Sequence, residues 1–566
     1  MNSLTKIGCG IAVFFFSNAF AQEKENEGEI KQVEIVLEKN KQIVLPPAER
    51  NYEKVPPRAA EPIKPEITYQ FKDVVFRAAE FNPSLRPLRL KDPSLSKIYG
   101  NYVAAGFGNY ASPYGEAYIT SKRDKSKFYG VKFFHRSFLN GPVDSGNSGS
   151  GNTELRAFGK AIGETITAQG FIQLENQAGH FYGYKPGTDV PSSAIRQSYN
   201  MISLGAEIEN TKASDFNFNL KGGFSALSDY YSATEQQANI NFTSDIKIDR
   251  QSSVILNADY YLISRKDALI NPPSRHIFKV KPAYRFVPVE NLTLTAGANV
   301  VVENDTIGNQ NGVHVYPNVS GSYKITATTE LFAAVTGDVD KVSLHSLSRE
   351  NIWLNSNIGV FNTNRTFEFA GGIKTKIGGK VSAGAGVSLS TLKNLYYYVS
   401  DTGNRAKFNT VFDNSSTQRA NFYAEVGYGT ETFKMLLRGD LYSYSSGIAT
   451  QAAKTYSVNT TVDLGNGALH RPTYKLALNT SYNIYDKILL NADLYAMGGI
   501  KALDFETKML TDLAAAVDLN FKVNYSVSKQ FSAFVLFNNM LSSSYQLYLN
   551  YPVRGFQGMV GASWSF

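Results

Sequence analysis

The last eleven residues, Phe556 to Phe566, read FQGMVGASWSF. Successive side chains of an extended chain point to opposite sides, so Phe556, Gly558, Val560, Ala562, Trp564 and Phe566 share one face. Gln557, Met559, Gly561, Ser563 and Ser565 share the other. The same period of two recurs upstream. From Ser253 to Ile263, Val254, Leu256, Ala258, Tyr260 and Leu262 alternate with Asn257, Asp259 and Tyr261. From 488 to 497, Ile488, Leu490, Ala492, Leu494 and Ala496 oppose Asn491, Asp493 and Tyr495; from 433 to 442, Phe433, Met435, Leu437, Gly439 and Leu441 oppose Lys434, Leu436, Arg438, Asp440 and Tyr442. An internal echo runs through them: LNADYY at 256, LRGDLY at 437 and LNADLY at 490. A greasy face backed by a charged one is what a strand standing between lipid and water requires.

Composition agrees. The 566 residues are 43% hydrophobic and 13% aromatic, with 45 Gly, 34 Tyr and 36 Phe, and only 19% are charged, below the roughly 25% of soluble domains. Tyr and Phe concentrate in short segments that also hold Gly, Ser, Thr and Asn, which suits strands and turns. Mean hydropathy is −0.24, and no run of about 18 apolar residues follows the N-terminus, so a transmembrane helix is excluded. The 57 basic and 49 acidic residues are scattered without a Lys/Arg cluster, which argues against a nucleic-acid partner.

Lys6, the apolar stretch Ile11 to Phe16 and the small-residue site Ser17-Asn18-Ala19-Phe20-Ala21 predict a signal peptide over residues 1–21. The one cysteine, Cys9, falls inside it. From residue 99 onward, short polar breaks alternate with long ones. Ten tight turns are expected near Arg123 to Ser126, Gly163-Glu164, Lys212 to Asp215, Asp249 to Ser252, Pro288 to Asn291, Thr326 to Thr329, Gly378-Gly379, Gly429 to Glu431, Asp486-Lys487 and Ser526 to Lys529. Longer connections lie between, among them Asn140 to Gly151, Gly179 to Ser193, His345 to Asn364, Leu395 to Thr417 and Ser445 to Arg471. Ten short and eleven long connections join 22 strands. The sequence thus predicts an all-β transmembrane antiparallel barrel over 99–566, with short turns and both termini on the periplasmic side.

The terminal Phe566, with Trp564 two residues earlier, resembles the signal that bacterial outer-membrane barrels present to their assembly machinery, which implies that machinery and outer-membrane lipid as partners. The stretch FNNMLSSSYQLYLNYPVRGFQGMVGASWSF from Phe537 resembles the ending of TonB-dependent outer-membrane receptors of the Bacteroidota kind, with Asn538-Asn539, Tyr545, Tyr551-Pro552 and Gly555 in matching order. SRENIWLNSNIGVFNTNRTFEFAGGIK from Ser348 resembles an internal loop and strand of that family through Glu350, Asn355, Thr366, Glu368 and Gly371, while Ser356 stands where the family usually has Pro. The resemblance covers 99–566 and implies nutrient uptake.

That family also carries a globular N-terminal plug that fills the lumen. Here only residues 22–98 lie between signal and barrel, and they hold nine of the 20 prolines. Pro-rich sequence of mixed charge stays extended and buries no core, so 22–98 reads as a periplasmic extension and not a plug. Two short apolar pieces, Val33 to Leu37 and Ile67 to Phe76, are candidates for strand addition. An unobstructed lumen of this width would leak, so closure is expected from that segment, from an inward-folded loop such as Leu395 to Thr417 or Ser445 to Arg471, or from a partner protein. By register, Asp259, Glu368, Lys374, Arg419, Glu425, Lys434, Arg438, Asp440 and Asp493 face the lumen, where they pair with one another, face water or hold an insert. The six histidines show no metal-ligand spacing and no hydrolase motif occurs, so neither enzyme nor cofactor is expected. Two functions remain open: a receptor or transport barrel for a nutrient, and a structural scaffold subunit of an outer-membrane assembly.

Overall fold

A computed structural model describes residues 99–566, apart from 123, 306–311, 414–415, 447–449, 456–457, 464–466, 505–506 and 508. The signal peptide, Cys9 and the extension 22–98 lie outside the described residues. Twenty-two strands form one sheet in which each pairs antiparallel with its neighbours in sequence. The sheet closes where Tyr102 to Gly108 pair with Ser565 to Met559. In lipid every backbone polar group must find its partner within the protein, which a barrel achieves by having no edge.

All ten expected tight turns occur, and all lie at one end. Strand pairs such as Ser150–Ile162 with Ile166–His180, Thr363–Ile377 with Val381–Lys393, and Tyr474–Ile484 with Ile488–Gly498 are joined there by three residues each. The eleven connections at the other end include the five long loops named from the sequence, but two of the eleven, 109–111 and 230–233, are tight where long ones were expected. Tyr110, Ala111 and Ser232 take positive φ in those two, a conformation no sequence signal announces at Tyr or Ala.

One face of the wall carries Leu155, Ile172, Leu174, Ile202, Leu204, Ile240, Leu389 and Val560, all exposed. The opposite face is polar, and its ion pairs identify it as the inner one. Lys160 reaches Glu209 past an intervening strand at 3.3 Å, and Lys279 reaches Asp338 past two at 2.8 Å, which only a concave surface permits. Exposed aromatics frame the apolar belt. Tyr129, Phe216, Tyr323, Tyr482, Tyr525, Phe531, Trp564 and Phe566 stand near the turn end, and Phe107, Phe278, Phe367, Phe422 and Phe556 toward the loop end, as the two girdles of a membrane barrel do.

The seam has its own lock. Gly106 and Gly561 lie directly opposite each other in the closing pair, and the ring of Phe534, from the neighbouring strand Phe531–Asn538, covers both. A Cβ on Gly561 would stand 2.2 Å from Phe534 Cζ, and one on Gly106 3.3 Å from it. Phe534 is buried with Ala104 and Met559 and meets Tyr114 edge-on at 5.9 Å. One ring therefore touches the last three strands and the first two at the closure. We predict that Gly561→Ala lowers the temperature at which the compact, unheated form converts on denaturing gels, and that Phe534→Ala alone costs about 3–5 kcal/mol. The double variant should be more stable than the sum of the two losses, since the added methyl then no longer meets the ring and keeps only its close approach to Ala105 O at 2.6 Å; additive losses would contradict this packing.

Candidate functional site

Strands at the seam have eight or nine residues, whereas Ile166–His180, Arg196–Asn210, Ser252–Lys266 and Arg275–Val289 have 15. About ten residues suffice to span the bilayer, so the long strands rise past it at the loop end. The inner side of their tops is buried at Tyr199, Met201, Leu227, Ile263, Ile277 and Val301. What covers them is a cap built from six long loops.

The loop 341–362 is its base. Helix α1, Leu344–Glu350, starts at Ser343, whose hydroxyl accepts from Ser346 N–H while Ser346 Oγ takes the N–H of Ser343, a reciprocal cap. The carboxylate of Glu235, on the inner wall, accepts from the N–H groups of Leu344 at 2.7 Å and His345 at 3.0 Å, where the helix dipole favours negative charge. Arg349 at the far end pairs with Glu175 of another wall strand. The rest of the loop is tied just as firmly. Arg265 donates to Ile358 O at 2.8 Å. Asp267 accepts from Asn357 N–H. Arg275 holds Asp305 and Val342 O, each at 2.9 Å, and Asn362 donates to Asp305 and Glu303. Buried charges of this kind persist only when paired and hydrogen-bonded, so they fix the loop in one place.

Aromatic rings join the other loops to this base. Trp353 stacks on Tyr551 at 3.9 Å, meets Tyr182 and Tyr548 edge-on at 5.7 Å each, and donates Nε1–H to His180 O. The hairpin Tyr396–Ser400 with Phe408–Phe412 is inserted beside it: Phe408 N–H bonds Trp353 O and Asn355 N–H bonds Phe408 O. Tyr548 donates to Glu350 O at 2.8 Å and Tyr182 to Pro552 O at 3.2 Å. His470 stacks on Tyr548 at 5.1 Å with Phe408 against its edge. Beside it, Arg471 lies over Tyr396 and Tyr397. Ile500, Ala502 and Leu513 complete the cap against Leu547 and Leu549. Of the two loops the sequence offered for closure, the first is buried in this cap through its hairpin Tyr396–Ser400 with Phe408–Phe412 and the second enters it through Leu469 to Arg471; the loop 341–362, which anchors both, carried only a family likeness in sequence.

The nine charges singled out in sequence form local sets. Glu368 lies between Arg365 at 3.0 Å and Arg419 at 3.3 Å; a bulge at 366 brings Arg365 into this set. Arg438 holds Glu425 at 3.0 Å and Asp440 at 2.9 Å. Asp259 accepts from Asn241 and lies 3.8 Å from Lys281, and Asp493 accepts from Asn479 at 2.7 Å. Lys374 sits over the Phe332 ring at 5.0 Å. Lys434 borders a cavity of about 590 Å³ with Asn479, Asn491 and Lys522. Trp564 and Phe566 stack at 4.4 Å on the exposed face. Sequence alternation found these residues but not their partners, because pairing across the wall depends on register. No group of His, Cys, Asp and Glu suited to a metal ion occurs among the described residues.

No family model matches this sequence, and no curated protein is similar to it in sequence. Its fold, however, is shared. The ferric-catecholate import receptor Fiu of E. coli K12 superposes with a TM-score of 0.60 at 10% identity, over 83% of this chain and 82% of that one. The siderophore receptor PirA of Acinetobacter baumannii gives 0.62 at 10%, over 84% and 81%, and the FrpB iron transporter of Neisseria meningitidis 0.61 at 9%, over 83% and 82%. The wall shares its fold with these receptor and transporter barrels. With its apolar belt and aromatic girdles, this fold places the chain in a bacterial outer membrane.

The cap also responds to acid. Burial among rings holds the His470 imidazole neutral and pushes its pKa down to about 4 from 6.5, although Nδ1–H donates to Leu547 O at 3.1 Å. A histidine depressed on closing stabilises the closed form fully above about pH 6.5 and progressively less down to about pH 4, a change of roughly 3 kcal/mol. Protection factors in residues 539–556, the intrinsic exchange rate at each pH divided by the observed one, should therefore fall between pH 7 and pH 4.5, and His470→Gln should flatten that dependence; an equal slope in the variant would contradict this account.

Proposed function

We propose that the protein is an outer-membrane barrel for uptake of a nutrient, built on the wall of a TonB-dependent receptor of the Bacteroidota type and lacking that family's plug. The observation that carries the reading is a receptor-type 22-strand wall whose loop end is covered by one preorganised aromatic cap, the surface an incoming solute meets first. Its fold neighbours Fiu, FrpB and PirA are, by name, a ferric-catecholate import receptor, an iron transporter and a siderophore receptor, so iron supply is the first cargo to test. In this reading Asp259, Glu368, Lys374, Arg419, Glu425, Lys434, Arg438, Asp440 and Asp493 line the passage, the protein acts without catalysis or cofactor, and residues 22–98 or a partner protein close the turn end. Trp564 and Phe566 serve as the assembly signal.

A deletion strain should grow poorly and accumulate less radioiron under iron limitation, with recovery on re-expression. Normal uptake of iron and other nutrients, together with recovery of a stoichiometric partner in mild detergent, would overturn the reading and fit a scaffold subunit instead. Removal of Phe566 should cut the folded membrane-inserted protein several-fold by quantitative blotting; undiminished yield would refute its role in assembly.

A further inference from the structure

Beneath the cap, a cavity of about 550 Å³ is lined by both Arg136 and Arg554, one from the wall strand Lys127–Phe138 and one from the loop before the last strand. Both guanidiniums lie over the ring of Phe138, at 5.0 and 4.1 Å. Arg265, Arg275, Arg365 and Arg438 each have a carboxylate partner; Arg136 and Arg554 form no ion pair among the described residues. Arg554 donates to Ser150 Oγ at 2.6 Å and Ser148 O at 3.4 Å, yet the Nε of each arginine is buried without an acceptor. The carboxylate in the lining, Asp518, takes the Tyr545 hydroxyl at 2.9 Å and enters no ion pair. Asn152 and Gln177 add amide groups, and Trp353 forms part of the wall.

Two neighbouring guanidiniums, sheltered from water and uncompensated, repel each other and leave donors unsatisfied, which is costly unless something negative joins them. The planar fork of Arg matches carboxylate and phosphate oxygens in pairs, and the volume is that of a small-molecule site. We propose that Arg136 and Arg554 form a binding site for an oxyanion, a carboxylate or a phosphate, on a ligand held under the cap with Phe138 and Trp353 as its apolar flank. The site does not depend on the uptake reading, since it can be occupied in detergent, where nothing is transported.

Trp353 and Trp564 are the two tryptophans, so Trp564→Phe leaves Trp353 as the reporter in the wall of the cavity. Titration of the purified full chain at constant ionic strength with inorganic phosphate or benzoate should give a saturable fluorescence change that benzyl alcohol, the neutral control, does not. A response to phosphate assigns phosphate chemistry, one to benzoate carboxylate chemistry. Arg136→Gln or Arg554→Gln should weaken it at least tenfold, the double variant should abolish it, and Arg554→Lys should keep part of it. Wild-type protein silent to both anions, a response equalled by benzyl alcohol, or unchanged affinity in either single variant would overturn the proposal, whether or not the double variant folds.

Discussion

A backbone N–H or C=O left unpaired in hydrocarbon costs several kcal/mol, and a sheet in a membrane escapes that cost only if its first strand finds its last. Here that meeting is Tyr102 to Gly108 against Ser565 to Met559. Its middle, Ala104-Ala105-Gly106 against Gly561-Ala562-Ser563, is made of small residues that bury little side chain of their own. Phe534 supplies what the strands lack. Its ring fills the notch over Gly106 and Gly561 and converts a pair of glycines, otherwise poor in sheet packing, into a covered contact.

Closure gives the rest of the chain a rim to build on. Because the strands away from the seam run several residues further, their tops form an inner wall above the lipid, and Glu235, Arg265, Arg275 and Asp305 project from it. These charges are buried and find their partners in the loop 341–362. That loop in turn presents Trp353, against which the loops carrying Tyr182, Phe408 and Tyr551 pack, while His470 and Ile500 join through Tyr548 and Leu547. Wall, base loop and aromatic cluster thus form a hierarchy in which each layer needs the one below. Arg136 and Arg554 stand apart from it, two cations beneath the cap that form no ion pair among the described residues.

Much of the wall was legible in sequence because its signal is local: alternation along ten residues, and Gly, Asp, Asn, Ser or Thr at each tight turn. All ten turns fell where that chemistry placed them. The cap was not legible, for an equally physical reason. Its contacts join residues as far apart as Tyr182 and Pro552 or Arg405 and Asn550, and nothing in the spacing of either partner records the other. A polar loop in sequence and a buried loop in structure look alike when the polar groups are satisfied from the wall, as Asn357 and Asn362 are. Likewise Arg136 and Arg554 are ordinary single charges in sequence, and only the fold brings both to one aromatic ring.

The pairing of first strand with last is tested most directly by a disulfide. Ala105 and Ala562 face each other across the seam, and the sequence has no cysteine after Cys9. In Ala105→Cys with Ala562→Cys, mild oxidation of the membrane-inserted protein should link the two ends, shifting mobility on heated gels until reductant is added. Failure to link, or equal linking of Ala105→Cys with a cysteine placed two residues away at Val560, would contradict the closed barrel in this register.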